Sequence, residues 1–548
     1  MRIPPSLAPL CLLALALGPA PARAQEAPTS IPAAGLLEDV EVLRRVYEAA
    51  HPGLYRYNTK AQMDGHFAAL RARFDRDRTL AEAYLDLSQF LAKVQCGHTY
   101  ANFFNQSKGV VRALFAGKDR VPFQFRWVGG RMIVTRDLSP EVRLKPGTEV
   151  ISIDGIAASE ILAKLRTVAR ADGSNDAKRL ASLEVQGVAK YEAFDVFLPL
   201  FFPAIGERMD LLVRAPGSPD PVPIAVDAQD SARRDAQAID RKRSRDGGGD
   251  APWRFESLDD RTAYLRMPSW AVYDSKWDWA GSLERGFDDL AERRVANLIL
   301  DLRGNEGGLA VGDLITARIS PRAVRNDRYR RFTRYRALPE AFGPYLSTWD
   351  PSFKDWGASA VEDRDGFFRL TRPDDARAGG VITPLGRRFE GRVVALVGAS
   401  NSSATFQFCQ LAKEQRLVTL VGQSTGGNRR GINGGAFFFV TLPNSRIEVD
   451  LPVIGYFAGD GPWPDGNAIP FADLPDAGVE PDITITPSIE DIANGVDAEL
   501  KAARAFLGGD RAAGVGQAPI SSNDFHGERR EPARPANSLC EVRADAIR

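Results

Sequence analysis

"VANLILDLRGNEGG", residues 295–308, decides how the rest of the chain is read. Its apolar run is continuous rather than alternating, the pattern of a strand buried on both faces of a parallel sheet. A charged stop at Asp301 and Arg303 and a glycine-bearing turn follow, and a helix is expected from Gly308 to Ile319. "GRVVALVGASN", residues 391–401, repeats the plan, with a helix expected over roughly Ser403 to Gln415. "LVTLVGQSTGG", residues 417–427, is a third such run, and "TAYLRMPSW", residues 262–270, puts Ala263, Leu265 and Met267 on one side of a strand. Strand–loop–helix order repeated in this way implies an α/β domain with a mostly parallel sheet. Its reactive loops should gather at the C-terminal ends of the strands.

Working outward, 548 residues exceed what one hydrophobic core serves, so several domains are expected. Residues 1–24 read as a secretory signal: a basic start, an apolar run from Leu7 to Leu17, and small residues at Ala22 and Ala24. That run is shorter than the roughly 20 residues a membrane span needs, so an exported, periplasmic or extracellular protein without a stable span is expected. Residues 25–108 form an N-terminal helical domain. Leu36, Val40, Leu43 and Tyr47 share one helix face that stops near His51–Pro52, and Thr79 with Glu82 makes a capping box for the next helix. Residues 109–230 change to short periods, with a hairpin at Gly129–Gly130, and the strand, Asp-Gly turn and helix of "VISIDGIAASEILAKL" resemble a PDZ domain. Residues 231–252 read as a charged linker, 253–507 as the core, and 508–548 as a disordered tail. The stretch 321–390 is read as an insertion over the site. Its Phe332, Tyr335, Phe342 and Tyr345 would suit an apolar ligand, although such aromatics are commonly plain core.

The charge balance of 71 basic to 71 acidic residues gives no sign of nucleic acid or an anionic membrane as partner. Outside the leader the cysteines are Cys96, Cys409 and Cys540, which permit at most one disulfide. Cys96 with His98 is half a metal site and no second pair follows, so neither metal nor other cofactor is expected.

Two motifs carry the chemistry. "GASNSSATFQF", residues 398–408, displays Ser403 where a buried strand turns into a helix, at the end where free amides and the dipole favour negative charge. Acyl transfer needs two donors for a developing oxyanion. The amide of Ala404 would be one, and the glycine pair 307–308 lets a second backbone segment approach closely. Together with "DLRGNEGG" these motifs resemble the tail-specific, or C-terminal processing, serine peptidases, which have a crotonase-like core. The resemblance covers about 254–490 and implies a peptidase acting on a peptide or protein substrate, with Ser403 as nucleophile and Gly308 as the second oxyanion donor. Ser402 is the rival nucleophile; Phe408 in the family's aromatic position favours Ser403.

The family's best-known branch activates its serine with a lysine on a "GxxTxGK" loop. Here that position is Asn428, 25 residues after Ser403, and asparagine is no base. Arg429 and Arg430 stay protonated and cannot replace it; with Asn428 they remain candidate substrate-binding residues. A tricorn-like branch takes a histidine from the segment before the PDZ-like module, and "CGHTY", residues 96–100, resembles that element. His98 is therefore the expected base, one of only four histidines in the chain. Without the resemblance, a histidine just past a helix reads equally as a packed or capping residue. For the acid that orients it, the tricorn-like branch places a glutamate shortly before a "GVxPD" segment; here "DLPDAGVEPDI" offers Asp473 and Asp476, while Glu480 falls inside the segment, and the resemblance favours Asp476. Two other readings are a catalytically inactive relative that binds a peptide or apolar ligand, and Cys96 as nucleophile beside His98.

Overall fold

The computed structural model describes residues 27–187, 190–237, 253–273, 276–364, 366–371, 380–458 and 474–509. The expected signal peptide, most of the expected linker and tail, Asp473 and Cys540 lie outside them.

The core is a six-stranded sheet in the order Ile483–Thr484, Thr419–Gly422, Arg392–Val397, Asn297–Asp301, Thr262–Arg266, Arg254–Asp259. All pairs are parallel except the last, which is antiparallel. The continuous apolar runs have a direct cause. Leu298, Leu300, Ala395 and Val397 pack on one side with Phe406 and Cys409 of the helix Ser403–Glu414. Ile299, Val394, Leu396 and Val421 pack on the other with Ala503 and Leu507 of the helix Ala498–Gly508. Register pairs Asp301 with Leu396 and Val397 with Gly422, so three neighbouring strands end side by side. Their loops, 302–310, 398–402 and 423–430, leave the same edge of the sheet. The helix expected from Gly308 begins at Val311; the glycine pair stays outside it as backbone in left-handed conformations, Gly307 at φ 104° and Gly308 at φ 138°.

The insertion is built differently from expectation. Residues 321–390 contribute four strands to a second, antiparallel sheet on the long hairpin Gly431–Thr441/Glu448–Ala458. Phe332, Tyr335 and Phe342 are buried as its packing, and Tyr345 is half-buried against the same core. These aromatics are core and not a ligand cleft, because the hairpin supplies a face to pack on that the local sequence does not reveal.

Upstream, the helices Ala33–Ala50 and Leu80–Lys93 form as read, the latter with the Thr79–Glu82 capping box, and a further helix, Lys60–Arg73, lies between them. Six strands between Phe123 and Asp227 make an antiparallel sheet, with the helix Ala158–Leu165 following the short strand Ile156–Ala157. The helices, this sheet and the hairpin residues Ala436–Ile454 share one apolar cluster, so no separate core divides the front of the molecule at residue 108. Asp39, fully buried on the first helix, fastens it to the hairpin turn by accepting from the backbone amides of Asn444 (2.8 Å) and Ser445 (2.9 Å).

Removing the Asp39 carboxylate strands the buried Ser445 amide and the half-buried Asn444 amide. Asp39→Ala should lower stability by about 3 kcal/mol in urea unfolding, detaching the front helices before the parallel core unfolds.

Candidate active site

Ser403 sits where the third-ranking strand of the sheet order, Arg392–Val397, gives way to its helix. Its φ is 51°, a left-handed conformation that costs a non-glycine residue of order 1–3 kcal/mol. The strain turns the half-buried side chain out of the helix start and into a cavity of about 1820 Å³. Ser402, the rival, is buried and its hydroxyl donates to the carbonyl of Glu306 at 3.1 Å. Both serines line the cavity, Ser403 half-buried and Ser402 with its hydroxyl engaged by the Glu306 carbonyl.

The glycine loop lies directly against this turn. A Cβ at Gly307 would stand 2.8 Å from the Ser403 Cβ and 2.9 Å from the Ala404 amide nitrogen. A Cβ at Gly308 would stand 2.2 Å from the carbonyl of Trp270. Gly308 forms a parallel bridge with Trp270, which donates its N–H to the Gly307 carbonyl (3.1 Å) and accepts from Leu309 (3.0 Å). Backbone groups alternate in direction along such a bridge, so the Gly308 N–H points away from Trp270. Asn305 fixes the loop: its side chain accepts from the Gly307 amide (2.9 Å) and the Thr405 hydroxyl (2.9 Å) and donates to the Met267 carbonyl (2.8 Å). Asn401 ties the serine loop to the same place by donating to the carbonyls of Leu302 (2.5 Å) and Asn305 (3.0 Å).

His98 lines the same cavity as Ser403, although 305 positions separate them in sequence. Its loop is held at every neighbour. Asp172 accepts from the Gly97 amide (3.0 Å), and Arg170 donates to the Gly97 carbonyl. Gly53 donates its amide to Nδ1 of buried His51 (3.1 Å), which places the His51 proton on Nε2, where it is shared with the Thr99 hydroxyl (2.8 Å). The His98 ring packs against Phe437 at 5.7 Å between centroids, and its Nδ1 is buried with no hydrogen-bond partner among the described residues. Burial, then the Arg170 charge, push the imidazole down to about 4; Lys178 acts in the same direction and Glu306 against it.

Of the other expected site residues, the structure brings Gly308 and Ala404 to the cavity and leaves four elsewhere. Asp476 is not beside His98. Its carboxylate accepts from the Ser174 amide (2.9 Å) and hydroxyl (2.8 Å) and from Asn428 (2.7 Å). Asn428 is fully buried and also donates to the Asp172 carbonyl (3.1 Å), so the asparagine in the lysine position is a cross-link between segments. Arg429 and Arg430 follow it away from the cavity wall; Arg430 donates to the Leu474 carbonyl at 2.9 Å. Glu480 lies in the same segment and does not reach the wall either. Cys96 is buried, accepts from Asn433 at 3.2 Å, and burial pushes its thiol up to about 11, which disqualifies it as a nucleophile.

Sequence reading missed Lys178, Arg170 and Glu306. Lys178 pairs with Glu306 and donates to the Ser400 carbonyl (3.2 Å), and Arg170 faces Glu306 at 3.6 Å. The Glu306 side chain is 51% exposed where it lines the cavity; desolvation raises its carboxyl, but Lys178 and Arg170 overcome this and hold it below the usual range. Only Glu306 left a trace in the sequence, as the charged residue inside the glycine motif.

A strained serine at a strand-to-helix turn, a glycine backbone beside the next amide and an imidazole line one cavity, the groups a serine-type acyl transfer calls for. Residues 261–485 match the family model described as peptidase family S41. Over that segment the chain is similar to this family of tail-specific proteases, which supports a serine-type peptidase. Among solved structures it is similar to mature CPAF complexed with lactacystin, at 14% identity over 87% of this chain and 98% of that one, with a TM-score of 0.56. It is also similar to mature CPAF alone, at 15% identity over 84% and 94% of the two chains, with a TM-score of 0.50. At such identity the likeness is one of fold. No curated protein matches the sequence.

The Gly307 approach leaves no room for a methyl group. Gly307→Ala should fold with a native circular dichroism spectrum yet lose at least about 100-fold in kcat/KM, because the added carbon displaces Ser403 and the Ala404 amide together.

Proposed function

We propose that this peptidase cleaves its peptide or protein substrate with Ser403 as nucleophile and His98 as general base. The observation that carries the reading is the shared cavity: the strained, unbonded serine and the imidazole open into one space. In this scheme the Ser403 hydroxyl attacks the scissile carbonyl carbon as His98 takes its proton through Nε2. The carbonyl oxygen becomes an oxyanion that receives the N–H groups of Ala404 and Gly308. Collapse breaks the C–N bond, His98 returns the proton to the leaving amine, and water repeats the sequence on the acyl-enzyme.

The low proton affinity of His98 supports a base that is deprotonated throughout the neutral range. It also makes that base weaker than a free imidazole, so nearby negative charge matters to the transfer. The N-terminal leader supports an exported protein, and the six-stranded sheet with its helix at 158–165 supports a PDZ-like module over 109–230.

Labelling by a fluorophosphonate probe tests the nucleophile: Ser403→Ala should abolish it and Ser402→Ala should retain it, while the opposite result moves the nucleophile by one residue. For the base, a depressed imidazole loses function only when pH falls through its lowered value. The kcat/KM profile should therefore stay flat from about pH 8 down to about pH 6, with its acid limb well below that of a free histidine. An acid limb centred near 6.5 would point to another group.

A further inference from the structure

Lys178, Arg170 and Glu306 come from three parts of the chain and meet at one wall of the cavity. Lys178 stands on the short helix Asp176–Ala181, Arg170 on the segment before it, and Glu306 in the glycine loop next to Gly307. Each bond they make ends on a catalytic loop. The Arg170 guanidinium donates to the carbonyl of Gly97, one residue before His98. Lys178 donates to the carbonyl of Ser400, three residues before Ser403, and its stem lies against Gly426, where a Cβ would stand 2.9 Å from the lysine Cδ. Glu306 takes both cations, and its own carbonyl accepts from Ser402. The Lys178 side chain is 3% exposed, so its charge has little water to rely on, and the Glu306 carboxylate is its ion partner there.

We propose that Glu306 is the positioning acid of this active site: it locks the His98, glycine and serine loops together through Arg170 and Lys178, and its charge offsets those cations at the imidazole. The assignment rests on the Ser403–His98 reading. It gives the acid a place that Asp476 does not fill, since the Asp476 carboxylate is held by Ser174 and Asn428. Glu306 acts through His98 and the loops, not on the substrate.

The signs follow from the charges. Glu306 favours the imidazolium, so Glu306→Gln should make His98 harder to protonate. Arg170 opposes it, so Arg170→Gln should make His98 easier to protonate. The other groups around the ring are Lys178, the Phe437 ring and the backbone of Gly434; Asp172 sits on the Gly97 amide, and Tyr100 stacks on Arg170. Asp450, raised by burial to about 6, acts on Arg170 and titrates within the same range, so variants are compared with wild type and not with absolute values.

Four histidines in the chain make the experiment tractable by NMR. The full-length protein with labelled histidine is titrated, and the His98 resonance is assigned by its loss in His98→Ala. Glu306→Gln should shift the His98 midpoint down and Arg170→Gln should shift it up, each by about one pH unit. The acid limb of kcat/KM should move in the same directions, with kcat in Glu306→Gln reduced about tenfold to 100-fold and KM little changed. Glu306→Asp should restore part of the rate. Midpoints that stay at the wild-type value in both variants overturn the proposal, even if activity falls, because a merely structural role lowers the rate without moving the titration. If the midpoints move but the acid limb does not follow, the charge coupling stands and His98 fails as the base. Should Glu306→Gln not fold, Arg170→Gln alone decides: an unmoved or lowered midpoint overturns the assignment.

Discussion

Two loops approach each other in this molecule so closely that only glycine fits between them. The backbone at Gly307 faces the Cβ of Ser403 and the amide of Ala404 at distances no side chain tolerates. Both partners are contorted: the glycine at φ 104° and the serine at φ 51°. Neither conformation is favourable alone for its loop; they persist because Asn305 and Asn401 tie the loops with a set of buried bonds. Everything upstream serves to hold that contact and bring an imidazole to it. The parallel register ends three strands together, and buried apolar faces on both sides of the sheet keep those ends from shifting.

The front of the molecule reaches this contact by packing, not by a flexible hinge. Its helices share an apolar cluster with the hairpin that follows the serine helix, and the Asp39 and His51 bonds fasten the segments on either side of the histidine loop. The proposed base at residue 98 and nucleophile at 403 therefore sit in a continuous core. The environment works against the imidazole's basicity, since burial and two cations depress it, and among the described residues Glu306 acts the other way. In the proposed mechanism the same loop carries backbone for the oxyanion and charge for the base.

The parallel core was legible because doubly buried strands need unbroken apolar runs, and the serine and glycine motifs fall where those runs end. His98 was legible only through what its partner lacks, the lysine replaced by Asn428. Lys178, Arg170 and Glu306 were not: a basic residue in a short helix and an acid in a glycine loop look like solvated surface until the fold joins segments 128 residues apart. The sheet within the insertion went unread for a related reason. "YRRFT", the strand Tyr329–Thr333, alternates too weakly to announce a sheet, and its pairing partner, Glu448–Ala458, lies more than a hundred residues on. Asp476 was placed by motif position, and the carboxylate is instead consumed by Ser174 and Asn428.

The central claim, that an imidazole from the front half serves a strained serine in the back half, is tested most directly by the crystal structure of a peptidyl phosphonate adduct. The account predicts phosphorus bonded to the Ser403 oxygen, a phosphoryl oxygen within hydrogen-bond reach of the Gly308 and Ala404 amides, and the His98 Nε2 facing the adduct. An adduct on Ser403 with His98 turned away and another basic group in its place would contradict it.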